Sequence, residues 1–212
     1  MKYYTLQELS RFSDRTNGHV SVFGNVLDLT SLLAKHSGDP LLRPILQHLG
    51  KDLSHWFDDK TGDVRYYIHP VTNLRVPYTP EGPFLHVPPI YPSNKWKNDY
   101  GTPWWKNTSL IVGKLANYSF DIKIVNTLTS QVNEIEVAIE DTVMDILERY
   151  LKYNSHAASY AWKYDGRLLD MFKTLEENGI EIDNRLLELN LLSPACFLPE
   201  IHLYFKDDLT EE

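Results

Sequence analysis

Alternation of apolar and polar positions is clearest in the second half of the chain. In FDIKIVNTL and EIEVAIE, Phe120, Ile122 and Ile124 share one face and Ile135, Val137 and Ile139 another, around the polar run Thr129-Ser130-Gln131-Val132-Asn133. A period of two on both sides of a polar turn predicts an antiparallel hairpin with one buried face. The period then lengthens. Over TVMDILERYLKYN the apolar positions Val143, Ile146, Leu147, Tyr150 and Leu151 form a helical stripe suited to packing across a sheet, and Asp141 is placed to cap it. Two more strands are expected in SYAWKYDG and EIHLYFKD, with RLLDMFKTLEENGI between them.

The first half is built from shorter elements. Thr5-Leu6-Gln7-Glu8 has the form of a capping box and predicts a short helix through Phe12. HVSVFGNVLDLT alternates around Gly24-Asn25, the chemistry of a tight hairpin. DLTSLL predicts a strand end feeding a short helix that leaves His36 just past its C-terminus, and LLRPILQHLG and DLSHWF predict two further helical turns, the first stopped at Gly50. Between the halves the pattern disappears. Eight of the twelve prolines and three of the five tryptophans fall between Pro70 and Asn107, in a stretch with neither period. It is too aromatic for a flexible spacer, so it is expected to lie extended over a neighbouring surface with Trp96, Trp104 and Trp105 partly buried.

Composition removes several functions. The 212 residues are 42% hydrophobic, enough for one or two cores, and carry a net charge of −8 without a Lys/Arg block, so nucleic acid is not an expected partner. Met1-Lys2-Tyr3-Tyr4 lacks an apolar signal core and no run approaches a bilayer span, which gives the expectation of a cytoplasmic chain with no membrane contact. The single Cys196 forbids an intrachain disulfide and is expected in a core. No Ser-His-Asp order, phosphate loop, zinc-ligand spacing or opposed carboxylate pair stands out. The expectation is therefore a protein that is not an enzyme and has no small-molecule substrate.

One stretch carries chemistry. YYTLQEL, VFGNVLDLTSLLAKHSGD and LGKDLSHWFDD, over Met1 to His69, resemble the cytochrome b5 family in order, spacing and the Tyr-Thr-Leu and Asp-Leu-Thr landmarks. The resemblance implies heme b as cofactor. In that family a His before Pro-Gly-Gly supplies one axial ligand and a second His on an opposing helical loop supplies the other. His36 falls on the first position, with Ser37-Gly38-Asp39 in place of Pro-Gly-Gly, which keeps the permissive glycine and puts a carboxylate near the heme edge. The second position lands on Thr61-Gly62, which cannot bind iron, so the candidates for the second ligand are His69 and Tyr67 in GDVRYYIHP. His55 and His48 are taken as packing or capping residues. Two imidazoles would make a one-electron carrier, whereas His with tyrosinate would stabilise ferric iron and suit a sensor.

The later elements, in the order strand, strand, helix, strand, strand, resemble ubiquitin-like β-grasp domains, without a terminal Gly-Gly for conjugation. The fold class expected is α+β: a cytochrome b5-like domain over 1–69, a Pro/Trp-rich connector over 70–107 and a ubiquitin-like β-grasp domain over 108–212. Together with FLHVPP, PWWK, NTLTSQ, YNSHAASY and the closing YFKDDLTE, the whole chain resembles a family of cytochrome b5 domain-containing proteins associated with motile cilia. That resemblance implies a heme-binding component of the ciliary axoneme at the radial spokes, with radial-spoke proteins as partners. The competing expectation is a heme-free structural adaptor that docks through its two domains and through Trp104-Trp105.

Overall fold

Thr5 and Glu8 close the capping box the sequence predicts: Thr5 Oγ1 accepts the Glu8 N–H, and the Glu8 carboxylate accepts the Thr5 N–H, both at 3.2 Å. In this computed structural model, residues 1–91, 94, 96, 99–180 and 198–205 are described. They form two units, Met1–Leu115 and Ala116–Glu212.

In the first unit, β1 (Tyr3–Tyr4), α1 (Leu6–Ser10), β2 (Ser13–Asp14), β3 (Asn17–Val22), β4 (Asn25–Asp28), α2 (Thr30–Lys35) and α3 (Arg43–Gln47) follow the expected order. The β3–β4 turn sits one residue earlier than Gly24-Asn25. Phe23 and Gly24 take φ of 50° and 73°, the left-handed pair that a two-residue hairpin turn needs, and Asn25 already pairs with Val22. Beyond the 3₁₀ turn Ser54–Trp56 come β5 (Phe57–Asp58), β6 (Asp63–Val64), β7 (Tyr66–Ile68), β8 (Arg75–Pro77) and β9 (Ile111–Leu115). The main sheet runs β1-β9-β4-β3-β2, with β5–β6 and β7–β8 as separate two-stranded ribbons.

Two features differ from the expected division. Ile111–Leu115 is hydrogen-bonded between β1 and β4, so the first unit ends at Leu115 and the second begins at Ala116, after the expected start at 108. The stretch 70–107 is not a connector laid over a surface. Phe84, Leu85, Val87, Trp104 and Trp105 are buried in one core with Val20, Leu29, Ile45 and Phe57, while Trp96 stays exposed. A chain without helical or strand period can still donate a core when its large side chains all turn inward. Trp104 and Trp105, 1% and 8% exposed, are core residues, which leaves them unfit as docking anchors.

The second unit realises the predicted alternation. β10 (Ser119–Asn126) and β11 (Gln131–Ala138) pair antiparallel from Ser119↔Ala138 to Asn126↔Gln131, so the turn is tighter than the polar run implied and Gln131 to Asn133 belong to the strand. Next come α4 (Val143–Tyr150), β12 (Tyr160–Tyr164), β13 (Arg167–Leu168) and β14 (Glu200–Phe205). The strand order β11-β10-β14-β12-β13, with β14 parallel to β10 and antiparallel to β12, is that of a β-grasp. Ile122, Ile124, Val143, Ile146, Trp162 and Leu203 fill the space between helix and sheet.

The cap of α4 corrects the sequence reading. Thr142 is the N-cap and closes a capping box with Asp145, each accepting the other's backbone N–H at 3.2 and 2.9 Å. Asp141 instead accepts the Ala138 N–H at 2.8 Å and pairs with Arg149 Nε at 2.7 Å, buried at the sheet edge of the helix. Cys196, the final residues of the chain and most of the segment before β14 lie outside the described residues. No helix among the described residues is long and apolar enough to cross a membrane.

Candidate functional site

α2 fixes His36. The Asp28 carboxylate accepts the Thr30 N–H at 2.8 Å at the start of the helix, and buried Leu33 anchors its inner face. Burial pushes the Asp28 carboxyl up, but hydrogen bonds from the Thr30 side chain and backbone, with His19 nearby, outweigh it and hold the group below its ordinary value. His36 is the C-cap residue, its N–H bonded to the Leu32 carbonyl at 3.1 Å. The following turn closes through the Asp39 N–H to the His36 carbonyl at 3.0 Å, so it forms without Pro-Gly-Gly. Asp39 accepts the Leu41 N–H at 2.9 Å and caps the next turn. That occupies the carboxylate expected beside a heme.

A second imidazole stands against the first. The ring centres of His36 and His86 are 6.3 Å apart with planes at 81°. His86 comes from the Pro/Trp-rich stretch and is held from several sides. The Trp104 backbone N–H donates to its Nδ1 at 3.0 Å, the Tyr100 hydroxyl donates to its carbonyl at 3.0 Å, and the Tyr100 ring stacks on it at 4.3 Å and 12°. Its φ of 70° is a left-handed backbone that a non-glycine residue adopts only when its surroundings enforce it. Burial, then the proximity of His36 and Lys35, pull the His86 imidazole below its ordinary pKa.

The two rings share a cavity of about 450 Å³, lined also by Leu32, Lys35, Asp99, Tyr100, Trp104 and Leu110. That is within the size range of small-molecule and cofactor sites. The donor set says what kind of metal it suits. Among the described residues no group of three or more His, Cys, Asp or Glu could hold a metal ion. A bare cation finds no cage here, whereas an iron that arrives with four porphyrin nitrogens needs only one or two more. Leu32 and Leu110 are the aliphatic residues of the lining, and Lys35 adds a cation to it. A heme here would take His36 as its protein nitrogen, beside a lining in which Ser31, Asp99, Thr102 and Asn107 are polar.

Tyr67 and His69 stand elsewhere. Tyr67 is an exposed residue of β7 in edge contact with Tyr78, and His69 Nδ1 accepts the N–H groups of Val71 and Thr72 at 3.3 Å. Neither lines the cavity at His36. His48 bonds the Pro44 carbonyl through Nδ1 at 2.9 Å and packs on Trp56, and exposed His55 packs on the same indole. His86 was the residue the sequence reading missed. Its only local signal is a polar ring inside FLHVPP, flanked by side chains that prove to be core.

No protein-family model matches the chain. Individual relatives do. The Xenopus laevis protein called cytochrome b5 domain-containing protein 1 is 50% identical over 210 residues, covering 99% of this chain and 97% of that protein. The Homo sapiens protein of the same name is 46% identical, covering 99% and 92%. The chain belongs to the cytochrome b5 domain-containing protein 1 family. The relatives' name supports a cytochrome b5-like domain in this chain, and strand order makes the second unit a β-grasp. A solved archaeal ubiquitin, from Caldiarchaeum subterraneum, covers 42% of this chain and 96% of its own at 21% identity and a TM-score of 0.32. At that score the likeness carries no argument, and the β-grasp assignment rests on strand order.

Proposed function

We propose that the first unit is a heme b module in which His36 gives the iron its protein nitrogen, and that the protein serves in the axoneme of motile cilia beside radial-spoke proteins. The observation that carries the heme reading is the cavity in which His36 and His86 stand 6.3 Å apart. When bound, heme supplies one-electron and ligand-binding chemistry at that point. The chain's own residues divide the remaining tasks. α2 and the Asp39–His36 turn orient the imidazole, Leu32, Leu110 and Trp104 exclude water, and Lys35 offers a charge to a carboxylate. The test is reconstitution with hemin: one heme per chain with a Soret band in wild type, and loss of the band in His36→Ala. A band that survives that substitution removes His36 from the iron.

The axonemal setting follows the whole-chain resemblance, and it makes the iron a reporter of oxidation state to the machinery that coordinates beating. Crosslinking in isolated axonemes tests it, with radial-spoke proteins as the expected products. A heme-free adaptor is the second reading, favoured by one observation. Tyr66, Tyr67, Ile68, Leu74 and Tyr78 are exposed along β7–β8 and its flank, the residue types that anchor protein interfaces. A colourless product after hemin supplementation would support it.

A further inference from the structure

Among the described residues, β7 and β8 pair only with each other. The Tyr78 N–H bonds the Arg65 carbonyl at 2.6 Å and the His69 N–H bonds the Leu74 carbonyl at 2.9 Å, which fixes the phase of the ladder. In an antiparallel pair, positions bonded across the strands alternate with positions whose N–H and C=O point away. Tyr67 and Val76 are bonded to each other. Tyr66 and Ile68 on β7, and Arg75 and Pro77 on β8, therefore aim their backbone groups outward.

The two outer edges are not alike. Proteins blunt an exposed sheet edge with proline, with charge or with a covering segment. β8 has the first two, since Pro77 carries no N–H and Arg75 is charged. β7 has neither. Its two outward N–H groups and two outward carbonyls make no hydrogen bond among the described residues, and Tyr66, Tyr67 and Ile68 are 40%, 38% and 58% exposed. An unguarded apolar edge is a template for another strand.

Charge says whose strand. Between Asp63 and Glu81 the chain has Arg65 and Arg75 and no carboxylate side chain, in a protein of net charge −8. The Arg75 guanidinium lies 4.7 Å over the Tyr66 ring. Asp58 and Asp63, which share a pocket with Arg65 and Arg75, are already engaged: Asp58 accepts the Lys60 and Thr61 N–H groups, and Asp63 pairs with Lys106 at 2.8 Å. A second copy is a poor occupant, because it would set two cationic ribbons against each other. We propose that the outer edge of β7 docks an extended acidic segment of another protein by strand addition. Its backbone would pair with Tyr66 and Ile68, its apolar side chains would pack on theirs, and its carboxylates would meet Arg65 and Arg75. The inference rests on the β7–β8 surface of the adaptor reading and names what that surface takes.

A display library of random octapeptides, selected on the full chain, tests it. Enriched peptides should alternate apolar residues with Asp or Glu and lack a central proline, and a bound peptide should slow hydrogen exchange at the Tyr66 and Ile68 amides. Ile68→Pro removes an outward donor without breaking a bond of the ribbon, and should weaken selected peptides about tenfold or more, whereas Ile68→Val should not. Arg75→Glu, which leaves the backbone alone, should turn the selection from acidic to basic residues, and it decides the matter if Ile68→Pro fails to fold. No enrichment, enrichment of basic or proline-rich sequences on the wild type, or peptides indifferent to both variants overturns the proposal. So does a dimer in sedimentation that Ile68→Pro dissociates, which would make a second copy the occupant. Uptake of heme would end the heme-free adaptor and leave this edge standing, because Tyr66, Tyr67 and Ile68 do not line the cavity at His36.

Discussion

The β10–β11 hairpin and the stretch from Phe84 to Trp105 both supply a core, by opposite means. In the hairpin every second side chain turns inward, from Phe120 to Ile124 and from Ile135 to Val137, and the backbone pairs along its length. In the other stretch Phe84, Leu85, Val87, Trp104 and Trp105 are buried with no strand among the described residues between them. Their rings instead meet at angles: Phe84 with Trp56 at 4.7 Å, and Phe57 with Trp105 at 5.4 Å. A period is the mark of a regular backbone, not of burial. Regular elements build the scaffold of both units, and the irregular stretch brings His86 to His36.

The sharpest way to break that comparison is Trp104→Ala. Truncating a side chain 1% exposed at the centre of the aromatic cluster should cost the first unit about 3–5 kcal/mol. Trp162, buried in the second unit, should report an unshifted unfolding transition there. Equal shifts in both transitions would mean that the irregular stretch supports more than the first unit.

The second unit offers its own large effect at the Asp141–Arg149 pair. Arg149→Met leaves a buried carboxylate without its cation and should cost about 3 kcal/mol. The pH dependence has a definite sign. Burial pushes the Asp141 carboxyl up, and the Arg149 and Ala138 hydrogen bonds draw it only part of the way back. A carboxyl raised in the folded state loses stability as pH rises through its folded value, and loses none below its unfolded value. Without Arg149 the carboxyl rises further. The penalty of the variant, read from denaturant midpoints, should therefore be full at neutral pH and shrink in acid.

How much was legible in advance follows from where information sits along the chain. The capping box at Thr5, the α2 terminus at His36 and the β10–β11 faces are local patterns, complete within a few residues, and the structure keeps them. Asp141 was misread because one residue separates a cap from a buried ion pair, and only packing against Arg149 tells them apart. His86 and the core role of Trp104 depend on a return of the chain across 50 residues from His36. No local period records such a return. Tyr67 and His69 are candidates through their nearness in sequence to the position a second ligand occupies in the b5 family, and neither lines the cavity at His36.

Gly38 tests how far the turn after His36 depends on its backbone. It takes φ of 90°, and a Cβ added there would meet nothing within 4 Å. The cost of Gly38→Ala is then conformational alone, about 1–2 kcal/mol. Heme retention, followed as the rate of transfer to apomyoglobin, should loosen because the turn that aims the imidazole is less well held. A variant as stable as wild type would show that the turn has another conformation open to it.

The smallest effect expected is at Asp28, and it links the regular scaffold to the irregular site. Its carboxylate receives the Thr30 N–H, and α2 carries His36 at its far end. Asp28→Ala should cost about 1 kcal/mol at neutral pH, the ordinary loss of a helix-start acceptor. The Asp28 carboxyl is held below its ordinary value in the fold, so its contribution is present above the unfolded pKa and disappears as pH falls through the folded one. Wild type and variant should thus converge in acid, with the gap in unfolding midpoint closing below about pH 4. A gap that persists there would mean that the side chain acts through packing, and that α2 is aimed at the cavity by Leu33 alone.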